Sequence, residues 1–256
     1  MAIKDLWNYR YLVIKLAMSD FKLRYKNSIL GFLWSLTEPL LMLVVLYIVF
    51  SYFMRVNVEH YQLFLLVGII SWNMISRGTT MSLNSILGKP SLVNKIYFPR
   101  EILVISSCIT ALLMTLLEFI VFGIFMIVFR LIPTVTVVYF PIILFIEFIL
   151  ILGVSFGLAS LNVYYRDTQY IWAVILQIGF FASPIIYPVS IIPEKYVWIV
   201  KLNPMTLIID TLRGSIIYSM TPAVRDIIFI IISTVIILIV GYIIFLRLEP
   251  RFAEEI

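Results

Sequence analysis

Six long apolar tracts restrict the fold of this chain more than any other feature of its sequence. A helix needs about 20 predominantly apolar residues to cross a bilayer. The chain is 62% hydrophobic and only 13% charged, whereas soluble domains are about a quarter charged. The sequence therefore predicts an all-α integral membrane protein with six transmembrane helices. The predicted spans are Leu30–Phe53, Tyr61–Leu83, Ile102–Phe129, Tyr139–Val163, Ile171–Tyr187 and Ile227–Leu246.

The distribution of positive charge predicts the orientation of these spans. An even number of spans places both termini on one side of the membrane. If that side is the cytoplasm, twelve of the 19 Lys and Arg residues lie inside, six lie outside, and Arg77 lies within a span. Cytoplasmic loops carry the excess of Lys and Arg in membrane proteins. We therefore expect a multi-pass protein of the inner (cytoplasmic) cell membrane with both termini in the cytoplasm. The net charge of +5 then reflects orientation, and we expect no nucleic acid partner.

Within a single transmembrane domain, 1–256, the sequence suggests four parts: an interfacial helix (1–28), five spans (30–187), an external segment (188–222) and a sixth span (227–246). On a helical wheel the first part has a basic stripe beside an apolar one, which favours a helix lying among lipid headgroups. The alternative is a charged flank that only orients the first span. The stripes comprise Lys4, Asn8, Lys15, Lys22 and Lys26, and Ile3, Trp7, Ile14, Phe21 and Tyr25.

The stretch from Gly88 to Ile102 interrupts two apolar tracts with positive charge and an aromatic pair, Tyr97 and Phe98. Pro90 suits the first turn of a helix, and Pro99 cannot continue one without strain. Aromatic anchors flanked by charge are typical of small protein interfaces. An ordinary basic loop would explain the charges but not the aromatic pair between two prolines.

The tract that follows the fifth span is apolar, yet proline interrupts it four times, at Pro184, Pro188, Pro193 and Pro204. Because proline breaks helices, we expect two short helices that dip back into the outer leaflet. Irregular backbone at that depth must pack on protein or line a cavity. The alternative is an apolar external cap with no role in transport.

Residues that could carry out chemistry are scarce. The chain has one His, His60, and one Cys, Cys108, so neither a His/Cys metal cluster nor a Cys–His pair is expected. Gly88-Lys89 is not a phosphate-binding loop, because Leu83 and Pro90 occupy the positions that need Gly and Ser or Thr. We therefore expect no catalytic residue and no cofactor bound by this chain. Energy for uphill work would come from a partner or an ion gradient.

Five blocks of sequence occur in an order that resembles a known family. They are "RYKNSILGFLWSLTEP" (24–39), "LVNKIYFPREI" (92–102), "LNVYYRDTQY" (161–170), "SPIIYP" followed by "IP" (183–193), and "NPMT" (203–206) with a later Arg213. Together they resemble the permease subunit of type-2 ABC transporters, which export polysaccharides such as O-antigen, teichoic acid or capsule. The resemblance covers essentially the whole chain.

This resemblance implies a homodimer in the membrane, flanked by two copies of an ATP-binding subunit that holds ATP and Mg. The substrate would be a lipid-linked polysaccharide. The basic stretch matches the family's coupling segment, which docks on the ATPase: Lys89, Pro90, Leu92, Val93, Lys95, Tyr97, Phe98, Pro99, Arg100 and Glu101. Other matching positions are Arg166 and Asp167 in a cytoplasmic loop, and Ser183, Pro184, Tyr187, Pro188, Pro193, Asn203, Pro204 and Arg213 at the exit.

Two further hypotheses concern the membrane interior. Trp34, Trp72 and Trp172 could stack on sugars along the pore, although lipid-facing belts account for many membrane aromatics. Glu38 and Arg77 lie at similar depth on adjacent spans, so we predict an ion pair between them. Alternatively, Glu38 is hydrated near the surface and Arg77 extends toward phosphates by itself.

Two other classes of function stay open at this point. An ion-gradient-driven secondary transporter would also have polar residues in the membrane, here Arg77, Glu118 and Glu147. Such folds often have two halves with matching broken helices, and only one broken connection is evident here. A membrane glycan transferase would need a base or metal constellation, which the sequence does not offer. An ATPase encoded in the neighbouring reading frame would favour the exporter.

Overall fold

The computed structural model describes residues 8–26, 31–90, 92 and 98–255, and within these residues the chain forms helices and no strand. The ten α-helices are α1 (Arg10–Tyr25), α2 (Trp34–Tyr47), α3 (Tyr61–Leu83), α4 (Glu101–Val128), α5 (Tyr139–Tyr164), α6 (Thr168–Ala182), α7 (Glu194–Lys201), α8 (Pro204–Ile216), α9 (Val224–Leu248) and α10 (Phe252–Glu255). A π-helical turn, Ile48–Phe53, continues α2 without a break.

Helix α3 is the centre of the bundle, because it contacts α2, α4, α5, α6 and α8. Most of its side chains are buried, including Leu63, Ile70 and Met74. This position explains its composition: a helix enclosed by protein can carry Arg77, Ser71 and other polar residues that lipid would exclude. The outer helices show the opposite pattern, since large apolar side chains of α9 such as Ile232, Ile236 and Ile239 are exposed.

Helices α5 and α9 cross at very short range. A Cβ on Gly153 would lie 2.6 Å from Leu238 Cα, and a Cβ on Gly241 would overlap the carbonyl oxygen of Gly153. Gly157 also faces Gly241, whose Cα is 3.8 Å from the position of a Cβ. Gly153 and Gly157 have the spacing that lets membrane helices approach through their backbones. Only glycine fits at this crossing.

The two faces of the bundle have different elements, and we name them by these. The terminal face carries α1 and α10 together with the residues around Phe98. The distal face carries the N-terminal ends of α3, α5 and α9, and the short helices α7 and α8 lie on that side of the chain. The predicted cytoplasmic side corresponds to the terminal face.

Four helical stretches in the described part of the chain are long and apolar enough to cross a membrane: Trp34–Phe53, Glu101–Val128, Val135–Tyr164 and Val224–Arg251. These agree with four predicted spans within a few residues. Helix α3 has the predicted bounds and, at 23 residues, a length of about 35 Å, but its polar residues lower its hydropathy. The prediction of six spans therefore stays a prediction.

The fifth predicted span, Ile171–Tyr187, is wrong at its far end. Helix α6 ends at Ala182 and has 15 residues, a length of about 22 Å. Ser183 takes an extended backbone conformation, as a residue that precedes proline does. Pro184 therefore ends the helix, and residues 183–193 form turns with one short 3₁₀ segment, Val189–Ile191.

Helix α1 packs lengthwise on α4. Its buried residues are Val13 and Ala17, and Thr110 of α4 donates a hydrogen bond to the carbonyl oxygen of Ala17 (3.2 Å). Ile14, from the predicted apolar stripe, is exposed. The helix thus has a protein-facing stripe besides the two that the sequence predicted. The remaining residues of the predicted interfacial helix, 1–7 and 27–28, lie outside the described residues.

Candidate functional site

The beginning of the predicted coupling segment is attached to the N-terminal helix. Lys89 Nζ donates to Asp20 Oδ2 of α1 at 2.7 Å, and both side chains are mostly shielded from solvent. Ion pairs that are partly shielded from water are screened less by salt than exposed ones. Pro90, which follows, is exposed, and Leu92 is half-buried against neighbouring apolar side chains.

The end of the coupling segment is attached to the C-terminal tail. Arg100 Nη1 donates to the carbonyl oxygen of Glu249 at 2.6 Å, and its guanidinium carbon lies 5.8 Å from the centre of the Phe252 ring. Phe98 and Phe252 are both buried in one apolar cluster with Phe245. We call this the terminal cluster, and it comprises Val13, Ile86, Phe98, Ile102, Leu103, Val104, Phe156, Ala159, Val163, Phe245 and Phe252.

The burial of Phe98 corrects one prediction. Its side chain packs inside its own chain, so Phe98 is not an apolar anchor presented to a partner. Glu101 is also buried, whereas Pro99 is half-buried. Val93, Lys95 and Tyr97 lie outside the described residues, so their predicted roles stay predictions.

The predicted cytoplasmic loop lies next to the coupling segment. Arg166 and Asp167 are exposed in the short connection between α5 and α6. Arg166 and Pro90 line the same cavity of about 290 Å³, together with Asn84, Leu87, Asn162 and Gln169. The arrangement brings two predicted cytoplasmic elements to one surface.

An open groove runs along the side of the bundle between α2, α3 and α6. Its larger part has a volume of about 670 Å³. An adjoining part of about 420 Å³ shares Met42, Trp72 and Phe180 with it. We call it the lateral groove, and its larger part is lined by Trp34, Glu38, Leu41, Met42, Val45, Ile69, Trp72, Asn73 and Phe180.

The three tryptophans predicted to contact sugar have different environments. Trp34 is half-exposed in the lateral groove. Trp72 also lines it, but its ring is mostly buried edge-on against Phe180, with centroids 6.1 Å apart. Trp172 is held by a hydrogen bond from its indole nitrogen to Thr79 Oγ1 at 2.8 Å. The geometry leaves Trp34 as the tryptophan best placed to stack on a ligand.

The predicted ion pair names the wrong acidic partner for Arg77. Arg77 Nη2 bonds to Glu118 Oε1 of α4, and Arg77 Nε donates to the carbonyl oxygen of Asn73 (3.3 Å). Glu38 is exposed in the lateral groove instead, and no ion pair joins it to Arg77 within the described part of the chain. Glu118 is buried, so this pair is shielded from solvent by protein.

One arginine organises the predicted exit residues. Arg213 of α8 is buried and donates to three carbonyl oxygens: Phe64 (3.0 Å), Pro184 (2.6 Å) and Ile185 (2.7 Å). Its guanidinium carbon lies 3.4 Å from the centre of the Phe64 ring. The broken backbone after α6 leaves the carbonyls of Pro184 and Ile185 without helical partners, and the guanidinium donates to them, while the third carbonyl, of Phe64, belongs to α3. Burial lowers the pKa of Arg213 to about 9, which leaves it protonated at neutral pH.

The exit residues Ser183, Asn203 and Pro204 meet at the start of α8. Asn203 caps this helix by accepting from the backbone nitrogen of Met205 (3.0 Å), and its amide donates to Ser183 Oγ (3.0 Å). Pro204 occupies the first helical position, where its missing donor costs nothing. We call residues 183–216 the exit segment.

The other predicted exit residues are less enclosed. Tyr187 donates to the carbonyl oxygen of Phe181 (3.1 Å), Pro188 precedes the 3₁₀ turn, and Pro193 is exposed before α7. Both predicted short helices exist, as α7 and α8. Their insertion into the outer leaflet stays a prediction.

Two contacts were missed by the sequence reasoning: Asp20 joins α1 to the coupling segment, and Phe252 joins the tail to it. Glu147 of α5, which the sequence indicated as a polar residue within a span, is fully buried. An acidic residue in an apolar helix is a visible signal, but neither Asp20 nor Phe252 stands out in the sequence. Across the residues that the structure describes, no three His, Cys, Asp or Glu side chains come together as metal ligands.

Comparisons with known proteins agree with this architecture. A sequence model of the ABC-2 type transporter family matches residues 11–217, which is well over half of the chain. The chain is 32% identical over 258 residues to the O-antigen export system permease protein RfbA of Klebsiella pneumoniae, covering 99% of each chain. It is 29% identical to the protein of that name in Myxococcus xanthus, over 99% of this chain and 98% of the relative. It is also 26% identical to the polysialic acid transport protein KpsM of Escherichia coli, over 78% and 79% of the two chains.

Proposed function

The chain belongs to the ABC-2 type transporter family, and from this membership we propose that it is the membrane-spanning permease subunit of an ATP-driven polysaccharide exporter. The observation that carries the proposal is the similarity to O-antigen export permeases over 99% of the chain. The polysialic acid relative handles a different glycan. The shared substrate class is therefore a polysaccharide, and we propose that it is lipid-linked and of the O-antigen, teichoic acid or capsule type.

The energy source in this proposal is a separate ATP-binding subunit that holds ATP and Mg. Leu83 and Pro90 do not fit a phosphate-binding loop, so we propose that this chain is not catalytic. We place the terminal face in the cytoplasm of an inner-membrane protein, with Pro90 and Arg166 at the ATPase surface. Both residues line one cavity, which supports a shared docking surface.

The pathway in this proposal forms between two copies of the chain, flanked by two copies of the ATPase. The lateral groove supports this, because it combines a half-exposed ring, Trp34, with a carboxyl and an amide, Glu38 and Asn73. Rings stack on the apolar faces of sugars, while carboxyl and amide groups bond to hydroxyls. A second copy facing this groove would enclose a channel that suits a glycan.

The proposal is tested by reconstitution. The full-length permease in lipid nanodiscs should hydrolyse no ATP, and co-purification with its ATPase subunit should bring hydrolysis. A hydrolysis-blocked ATPase co-purified in the same way is the matched control. Hydrolysis by the highly purified permease alone would contradict the proposal.

A second measurement separates the exporter from an ion-gradient-driven transporter. In cells that lack the permease gene, glycan should accumulate inside and reappear at the surface on complementation. Depletion of ATP with the ion gradient preserved should stop export. Export that continues without ATP but stops with an ionophore would favour the secondary transporter.

A further inference from the structure

Glu147 stands apart from every other acidic side chain in the bundle. It lies on α5 and is fully buried, and neither carboxyl oxygen has a hydrogen-bond partner among the described residues. The other carboxyl deep in the bundle, Glu118, bonds to Arg77. A buried polar group without a partner is costly, so this carboxyl needs an explanation that the transport function does not supply.

The packing of α5 on α3 places Ser71 close to the level of Glu147. A Cβ on Gly78 would lie 2.7 Å from Ile151 Cγ2, and the Asn162 amide donates to the carbonyl oxygen of Leu83 (3.0 Å). From the first contact to the second, residue numbers increase along both helices, so α3 and α5 run parallel. Glu147 lies one turn before Ile151, and Ser71 lies two turns before Gly78, on the same faces.

The length of the glutamate side chain reduces the remaining offset. One turn against two leaves an axial difference of about 4–5 Å, with Ser71 nearer the distal face. Side chains on a helix lean toward its N-terminus, which is at the distal face for both α3 and α5, and the side chain of glutamate is longer than that of serine. The Glu147 carboxyl therefore extends toward the level of Ser71, whose hydroxyl is also buried and without a partner among the described residues.

A second hydroxyl approaches from the exit segment. Thr206 lies in the first turn of α8, which packs on both α3 and α5, and its hydroxyl is buried with no partner in the described part of the chain. The start of α8 is bonded through Asn203 to Ser183 (3.0 Å). The carbonyl oxygen of Ile185, two residues after Ser183, lies 3.2 Å from the position that a Cβ on Gly68 would take. Gly68 is one turn from Ser71, so Thr206 enters the bundle near the same depth.

We propose that Glu147, Ser71 and Thr206 form an internal hydration site, in which a neutral Glu147 carboxyl and two hydroxyls bind ordered water between α3, α5 and the first turn of α8. The chemistry is matched, because a buried water makes about three hydrogen bonds to otherwise unsatisfied groups. A protonated carboxyl can both donate and accept, as each hydroxyl can. The water links the inner end of the exit segment to two spans.

The neutrality of Glu147 follows from its surroundings. A buried carboxylate needs a cation or several donors. The nearby buried cations are engaged elsewhere, since Arg77 pairs with Glu118 and Arg213 donates to three carbonyls. The N–H groups of Arg213 are thus used by backbone, and the Glu147 carboxyl keeps its proton.

Infrared difference spectroscopy of the full-length chain in nanodiscs tests the site without the proposed partner. The wild type should show a hydrogen-bonded protonated-carboxyl C=O band that is lost in Glu147→Gln. Ser71→Ala and Thr206→Val should each shift this band to higher frequency. Ser160→Ala is the matched control and should not shift it, because Ser160 bonds to carbonyls of its own helix at 3.0 and 2.9 Å.

Two results would overturn the proposal. One is that Glu147→Gln removes a carboxylate band and no protonated-carboxyl band. The other is a protonated band that neither hydroxyl substitution moves, which would show a dry, isolated acid. If a variant fails to fold, a wild-type cryo-electron-microscopy map at water-resolving resolution decides: density bonded to the carboxyl supports the site, and a carboxyl enclosed by apolar atoms alone refutes it.

Discussion

The two faces of this permease are fastened by different chemistry. At the distal face one buried guanidinium, Arg213, binds three backbone carbonyls. At the terminal face, side chains hold the coupling segment: Lys89 bonds to Asp20, and Phe98 packs with Phe252. Backbone carbonyls cannot rotate away, whereas a lysine and an aspartate can part and pair again. The exit segment is therefore held by hydrogen bonds that we expect to persist, whereas the coupling segment is held by side-chain contacts that can break and form again.

This difference indicates which contacts can break during transport. A single side-chain ion pair contributes less free energy than the three hydrogen bonds of Arg213, so it can break more readily in a transport cycle. Loss of the buried guanidinium would leave the carbonyls of Pro184 and Ile185 without a donor, so we expect the bonds of Arg213 to persist through the cycle. We expect the distal fastening to govern stability and the terminal one to govern coupling.

The largest effect should follow Arg213→Gln. A hydrogen bond to a charged group contributes about 1.5–3 kcal/mol, and three are lost, so we expect a destabilisation of roughly 4.5–9 kcal/mol. The destabilisation is measured by heating the protein to a series of temperatures and following the loss of its monodisperse peak by size-exclusion chromatography. Arg213→Lys should recover only part, because lysine lacks the planar fork. The control is Arg225→Gln at an exposed position of α9, which should be as stable as wild type. If Arg213→Gln and Arg225→Gln lost stability equally, the proposed difference between the two faces would be wrong.

The next largest effect on stability is expected at the buried ion pair of Arg77 and Glu118. Arg77→Gln or Glu118→Gln alone strands a charge and should cost about 3–5 kcal/mol. The double variant removes both charges and should be more stable than either single. The earlier Glu38 hypothesis predicts rescue from Glu38→Gln instead. Thermal stability of all four variants identifies the true partner of Arg77.

A smaller effect is expected from Phe252→Ala at the terminal face. Burying a phenylalanine side chain contributes about 1.5–3 kcal/mol, and here the loss should be local to the tail. Limited proteolysis should cleave near residue 250 faster, with the melting temperature of the bundle little changed. Tyr165→Ala, exposed on the same face, is the control. A global loss of stability would mean that the tail is part of the core.

The smallest effect on stability should come from Asp20→Lys, about 1–2 kcal/mol, which lies between the values for exposed and buried ion pairs. Its effect on coupling should be larger: less glycan exported per ATP hydrolysed, restored in part by adding Lys89→Asp. Lys22→Asp, exposed on the same helix, reverses a charge at a neighbouring position and is the control. If the double variant exports no better than Asp20→Lys, the pair has no part in coupling.

Much of the fold was accessible from the sequence because apolar length sets the spans. The bounds of α3, α4 and α5 are within a residue or two of prediction, since hydropathy changes sharply at their ends. Pro184 predicted a break as well, although the span was drawn five residues too far, to Tyr187. An apolar tract that passes through a proline gives no other sign of where the helix stops.

Partners across the bundle were not accessible. The Glu38 hypothesis used depth and adjacency in the chain, but α3 contacts five helices, and the partner of Arg77 is 41 residues away on α4. Lys89 and Asp20 are 69 residues apart. Phe98 looked like an exposed anchor because its burial depends on Phe252, at the other end of the chain. Hydropathy predicts depth in the membrane and not the rotation of one helix toward another.

The glycine crossing of α5 and α9 limits how the transporter can work. Gly153 and Gly241 meet backbone to backbone, so neither helix can turn about its axis or slip along the other without a collision. During a transport cycle the two helices should move as one rigid body, together with Phe245 and the rest of the terminal cluster. The parts free to swing are α2 and α6, which bury few side chains and border the lateral groove. A passage for a polymer would then open by movement of α2 and α6 relative to the fixed pair of α5 and α9.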